Sequence, residues 1–123
     1  MGGVNALRKN SSDDNYSDFT GLVLCDYRSE RVDVHVRASV VGGALHLSCQ
    51  DLGPMVEEIW GDEDYEYYYD FTSEETEKLL RAINGLKNPQ EALLKHFGGE
   101  RGCSVMRELC EKEGIEYHFY SYV

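Results

Sequence analysis

The clearest pattern in the chain is a strict two-residue alternation that breaks once, at a pair of glycines. From Arg31 to Val41, Val32, Val34, Val36, Ala38 and Val40 share one parity, while Asp33, His35, Arg37 and Ser39 share the other. From Ala44 to Gln50, Leu45, Leu47 and Cys49 alternate with His46, Ser48 and Gln50. Successive strand side chains point to opposite faces, so each run reads as a strand with one apolar face. Gly42-Gly43 between them permits the positive φ angles of a two-residue hairpin turn. That turn sets Val41 across from Ala44, Val40 from Leu45, Ser39 from His46, Arg37 from Ser48 and His35 from Gln50. Apart from Val41 and Ala44, every apolar residue of the pair then lies on one face, and a slip of one residue destroys the match.

The remaining elements follow from the same kind of pattern. Phe19 to Tyr27 is apolar on both parities, which predicts a central strand covered on both sides. Pro54 suits the first turn of a short helix with Met55, Val56, Ile59 and Trp60 on one side and Gly61 at its end. Tyr65, Tyr67, Tyr69 and Phe71 alternate with Glu66, Tyr68 and Asp70, the signature of an aromatic strand. Thr72-Ser73-Glu74-Glu75 is a capping box opening a helix whose inner stripe is Leu79, Leu80 and Ile83. Asn88-Pro89-Gln90-Glu91 opens another, carrying Leu93, Leu94 and Phe97 and ended by Gly98-Gly99. A third runs from about Ser104 to Glu113 with Val105, Met106, Leu109 and Cys110 inward. Ile115 to Val123 is a final aromatic strand. Strands early and helices late predict an α+β fold: a mostly antiparallel sheet of about five strands with three to four helices packed on one face. Residues 1–16, polar and rich in Gly, Ser, Asn and Asp, read as a disordered leader, and 17–123 as a single domain.

Composition narrows the function classes. The chain has 123 residues, room for one core, and a net charge of −11. Such a charge repels phosphate backbones and anionic lipid, so neither a nucleic acid nor a membrane is an expected partner. No apolar run reaches the roughly 18 to 20 residues of a membrane span, and no signal-peptide core is visible, so the expected location is cytoplasmic. Cys25 and Cys49 fall in strand patterns, and Cys103 and Cys110 flank a helix. None is spaced as C-x-x-C, so the expectation is four free and mostly buried thiols.

Charge is also uneven. From Glu57 to Glu77 there are ten acids and no base. A solvated surface is the plain reading of such a run. The sharper one is a docking face for a basic protein, formed by Glu57, Glu58, Asp62, Glu63, Asp64, Glu66 and Asp70 together with Tyr68. Aromatic residues of the last strand carry the same two readings.

Motifs for nucleotide binding, for a nucleophile elbow and for His-Glu-x-x-His zinc sites are all absent. The hairpin does place His35, Arg37, His46, Ser48 and Gln50 on one polar face, which would suit a small hydrolase or a metal-dependent enzyme. Zinc takes three or four converging ligands, and two offset histidines with Asp33 fall short of that. No metal or cofactor is therefore assigned. Acid–base chemistry could instead join Asp51, Glu57 and Glu58 with His46 or Arg37.

Three stretches carry a resemblance: Leu45-His46-Leu47-Ser48-Cys49-Gln50-Asp51-Leu52-Gly53; Val56-Glu57-Glu58-Ile59-Trp60-Gly61-Asp62 with Tyr65-Glu66-Tyr67; and Gly114-Ile115-Glu116-Tyr117-His118-Phe119-Tyr120-Ser121-Tyr122. Over roughly residues 44 to 123 the chain resembles a group of small bacterial proteins of unknown function, in which a Gln-Asp-Leu-Gly turn precedes a Tyr-Glu-Tyr strand. Glycine usually stands there at the position of Cys49, so the resemblance lends no support to a thiol role. It implies a cytosolic bacterial protein and no particular activity. The expected function is a non-enzymatic module, inhibitor- or immunity-like, for a basic protein partner. An enzyme on the hairpin's polar face is the alternative, and an architectural homodimer a third reading.

Overall fold

The fold is that of a computed structural model, which describes residues 16–61 and 64–122. Its strands are β1 (Phe19–Arg28), β2 (Asp33–Val41), β3 (Ala44–Leu52), β4 (Asp64–Asp70) and β5 (His118–Tyr122). Its helices are α1 (Pro54–Trp60), α2 (Ser73–Ala82), α3 (Pro89–Phe97) and α4 (Gly102–Glu113). The strands lie side by side in chain order, and each neighbouring pair is antiparallel. This is the α+β architecture that the alternation and the helix caps predict.

The hairpin has the register read from its side chains: Val41 opposite Ala44, Val40 opposite Leu45, Arg37 opposite Ser48 and His35 opposite Gln50. Gly42 and Gly43 both take positive φ, 60° and 78°, as the primed turn between twisted strands requires. The Asp18 carboxylate accepts from both of their N–H groups, at 2.7 and 3.2 Å.

Val36, Ala38, Val40, Leu45, Leu47 and Cys49 form the floor of the core, which Tyr69 of β4 and Phe71 just beyond it extend. Leu79, Leu80, Leu93, Phe97, Met106 and Cys110 close it from the helices. Burying a large aliphatic or aromatic side chain contributes about 1.5–3 kcal/mol, so this layer supplies most of the drive to fold. One polar side chain is wholly buried among the described residues: Thr76, whose Oγ1 accepts from the Leu45 N–H at 2.8 Å and so pins α2 to β3.

The caps hold only in part. Thr72 accepts from the Glu75 N–H at 3.2 Å, but the Glu75 carboxylate turns away and accepts from the Glu116 N–H at 2.7 Å. The first turn of α2 is thereby tied to the segment leading into β5. At the start of α4, a Cβ on Gly102 would lie 1.8 Å from the Phe97 carbonyl oxygen. Only glycine lets α4 begin so close to the end of α3.

Several expectations change. β1 is an edge strand, not a central one. Its pairing with β2 shifts register between Val23 and Cys25, so the consecutive Leu24 and Cys25 are both buried while Val23 and Tyr27 are exposed. Apolar residues on both parities here record a β-bulge and not a second covering layer. Leu94, Val105, Ile59 and Trp60, assigned to inner helix faces, are exposed. In α1 only Val56 is buried. Tyr16, read as leader, packs on the core and donates its hydroxyl to the Gly43 carbonyl at 2.9 Å; residues 1–15 lie outside the described residues. Among the described residues no helix is long and apolar enough to cross a membrane.

Candidate functional site

With the helices on one side, the other side of the sheet is left uncovered, and strand register decides what it presents. Asp26, His35, Gln50, Glu66 and Tyr122 are successive partners across the five strands. Beside this row lies Val23, Arg37, Ser48, Tyr68 and Tyr120. The third row is Ser39, His46, Asp70 and His118. The hairpin set that the sequence offers for chemistry and the β4 part of the set it offers for partner binding therefore share one surface. His35, Arg37, His46, Ser48 and Gln50 occupy its centre, and Asp64, Glu66, Tyr68 and Asp70 follow on β4.

Side chains on this face hold one another in place. Asp26 Oδ1 lies 3.0 Å from His35 Nδ1, and Asp70 pairs with the Nδ1 of His46. Gln50 Nε2 donates to Asp64 Oδ1 at 3.1 Å, and the Tyr68 hydroxyl donates to Glu66 Oε1 at 2.9 Å. That last bond raises the Tyr68 hydroxyl above its ordinary value, since the neutral phenol is the form that donates. Tyr68 also stacks between His46 and Tyr120, with ring centroids at 5.8 and 5.0 Å, and Tyr122 stands edge-on to it. Offset and edge-on ring pairs of this kind favour one arrangement over others. His118, Tyr120 and Tyr122 complete the cluster; their alternation in the last strand was the available signal, but it named no face.

The acidic run does not stay together. Glu57 and Glu58 are exposed on α1, with Glu58 paired to Arg31. Asp62 and Glu63 lie outside the described residues. Asp64, Glu66 and Asp70 fall on the open face, while Glu75 and Glu77 pair with Lys78 and Arg81 on α2. A chain segment read as one patch is divided by the fold into at least three places.

The acid–base grouping of Asp51, Glu57 and Glu58 with His46 or Arg37 is not assembled. Asp51 shares the parity of Tyr65 and Tyr67, on the helix side, and there accepts from the Tyr67 hydroxyl at 3.0 Å. Over the hairpin there is a shallow depression of about 320 Å³ lined by His35, Arg37, Ser48, Cys49 and Gln50. No histidine is hydrogen-bonded to Ser48 among the described residues, so its hydroxyl has no base in position. Nor, among the described residues, do three His, Cys, Asp or Glu side chains gather in a group that could hold a metal ion. What the face offers is ordered donors, carboxylates and aromatic rings on a rigid sheet. Against family models, curated proteins and solved structures, the chain has no match.

Proposed function

We propose that this chain is a non-enzymatic protein-binding module, inhibitor- or immunity-like, that holds a basic partner against the open face of its sheet in the cytoplasm. The observation that carries this reading is the convergence of Asp64, Glu66 and Asp70 with Tyr68, Tyr120 and Tyr122 on one uncovered surface. Carboxylates make strong charge-assisted bonds to Arg and Lys, and tyrosines supply contact area at low entropic cost. The carboxylates are already oriented by Gln50, Tyr68 and His46, which lowers the cost of ordering them on binding. The net charge of −11 would steer a basic protein toward the chain from a distance. Free thiols at all four cysteines accord with a reducing compartment.

Affinity capture with paired variants tests the reading. The full chain, a Glu66→Lys/Asp70→Lys variant of the open face and a Glu74→Lys/Glu113→Lys control on the helices are compared on the same lysate. The reading expects a basic protein that salt elutes, that the control retains, and that the face variant binds about tenfold more weakly or worse. Capture of nothing, or of the same proteins by both variants, would overturn it. The depression over His35, Arg37, Ser48 and Gln50 favours a second reading, a small hydrolase or metal-dependent enzyme. Turnover of ester, peptide or phosphate substrates that disappears in both Ser48→Ala and His35→Gln would put that reading first.

A further inference from the structure

On the covered side of the sheet, two cysteines 54 positions apart in the chain meet, with Cys49 Sγ and Cys103 Sγ separated by 4.0 Å. β3 carries Cys49 into the core between its partners Val36 and Tyr67. Cys103 sits in the first turn of α4, and the close approach at Gly102 sets that turn down beside α3. The two sulfurs differ in access: Cys49 is fully buried, Cys103 only half-buried. Arg107 lies one turn further along α4 and donates to the Tyr69 hydroxyl at 2.7 Å, so its charge is held near Cys103.

We propose that Cys49 and Cys103 form a reversible dithiol–disulfide pair, in which Cys103 reduces a hydroperoxide and Cys49 closes the bond. The Cys103 thiolate attacks the terminal oxygen of the hydroperoxide. The O–O bond breaks, Cys103 becomes a sulfenic acid, and the departing alkoxide takes up the thiol proton as an alcohol. The Cys49 sulfur then attacks the Cys103 sulfur, the S–O bond breaks, and hydroxide leaves with the Cys49 proton as water. In sum, two thiols and one hydroperoxide give one disulfide, one alcohol and one water.

The division of roles follows from the surroundings. Cys103 is less buried than Cys49, stands at a helix N-terminus and feels the charge of Arg107, and the last two conditions favour a thiolate. Its value is lowered first by the hydrogen bond from Cys49 and then by Arg107, against the opposing effect of burial. Cys49 is raised by that same bond and by burial, which suits the thiol that waits. Joining them needs an approach of about 2 Å to reach the S–S distance of roughly 2.05 Å. Cys25 donates its Sγ hydrogen to the Val34 carbonyl at 3.6 Å, and both Cys25 and Cys110 are buried. They are the internal controls.

Peptide mapping of the full chain tests the pair. After brief treatment with a small excess of tert-butyl hydroperoxide, free thiols are alkylated and the chain is digested without reduction. Of the four thiols two should remain, with one cross-linked species joining the Cys49 and Cys103 peptides and disappearing on addition of dithiothreitol. Cys49→Ala should stop at a Cys103 sulfenic acid that dimedone captures. Four intact thiols, a Cys25–Cys103 linkage or a bond between two chains would each overturn the proposal, and the wild-type map decides even where the variant folds poorly.

Discussion

Asp51 has the parity of the buried strand positions, so its carboxylate leaves water on folding, and the Tyr67 hydroxyl meets it at 3.0 Å. Burial is the larger influence and raises the carboxyl above its ordinary value of 3.8, while the bond from Tyr67 pulls it back. A carboxyl raised in the folded chain holds its proton more tightly there than in the unfolded chain. Its contribution to stability is therefore complete below the unfolded value and is lost as pH rises through the folded one. At neutral pH the ionised group is a net burden. Asparagine keeps an oxygen for Tyr67 and removes the charge, so Asp51→Asn should unfold at higher denaturant concentration than the wild type at pH 7. The two should converge as pH falls below 3.8. Urea titrations at several pH values check this, and a less stable variant at pH 7 would show that the Tyr67 bond outweighs desolvation. Asp51 also marks a limit of the sequence: a carboxylate beside Gly53-Pro54 reads as the end of the strand, whereas the strand continues through it to Leu52 and gives it the core parity of Leu45, Leu47 and Cys49.

Among the elements, the hairpin is the one most completely legible. Its two alternating runs meet at Gly42-Gly43, and only one register puts Val36, Ala38 and Val40 opposite Cys49, Leu47 and Leu45. β1 was less legible because a bulged edge strand and a doubly covered central strand leave the same trace, apolar residues on both parities. The meeting of Cys49 with Cys103 was not legible at all, since it depends on how α4 lies on the sheet and no local period encodes that. A further contact hidden from local patterns is Asp18, which binds both glycine N–H groups of the hairpin turn from the start of β1. It joins the edge strand's first residues to the turn of the next two strands. Hydrogen bonds to a charged group contribute about 1.5–3 kcal/mol, and exposure places this pair at the lower end. Asp18→Ala should cost about 1–2 kcal/mol in chemical denaturation, with faster amide exchange confined to Gly42, Gly43 and the beginning of β1. Uniformly faster exchange across the sheet would mean that Asp18 acts on global stability and not on the turn.

Over the whole molecule, what matters is that the acids outnumber the bases by 11 and that one sheet face is left open to receive part of them. The total was plain in the sequence. Its placement was not, because only the pairing of β3 with β4 across α1 determines that Asp64, Glu66 and Asp70 lie beside the hairpin's polar residues. Two effects of salt then oppose each other. Screening weakens exposed ion pairs such as Arg28–Asp26 and Arg31–Glu58, each contributing about 0–1 kcal/mol. It also relieves repulsion among the excess carboxylates, which acts over the Debye length of about 10 Å at 0.1 M salt. With few local pairs and a large excess of one sign, relief should win. Raising sodium chloride from about 0.01 to 0.1 M, which shortens the Debye length from about 30 to 10 Å, should increase the melting temperature by a few degrees. A decrease would show that the paired charges govern stability after all. The expected increase has a functional counterpart: a basic partner seated on the open face would relieve the same repulsion, so its stabilising effect on the chain should be greatest where salt has done least.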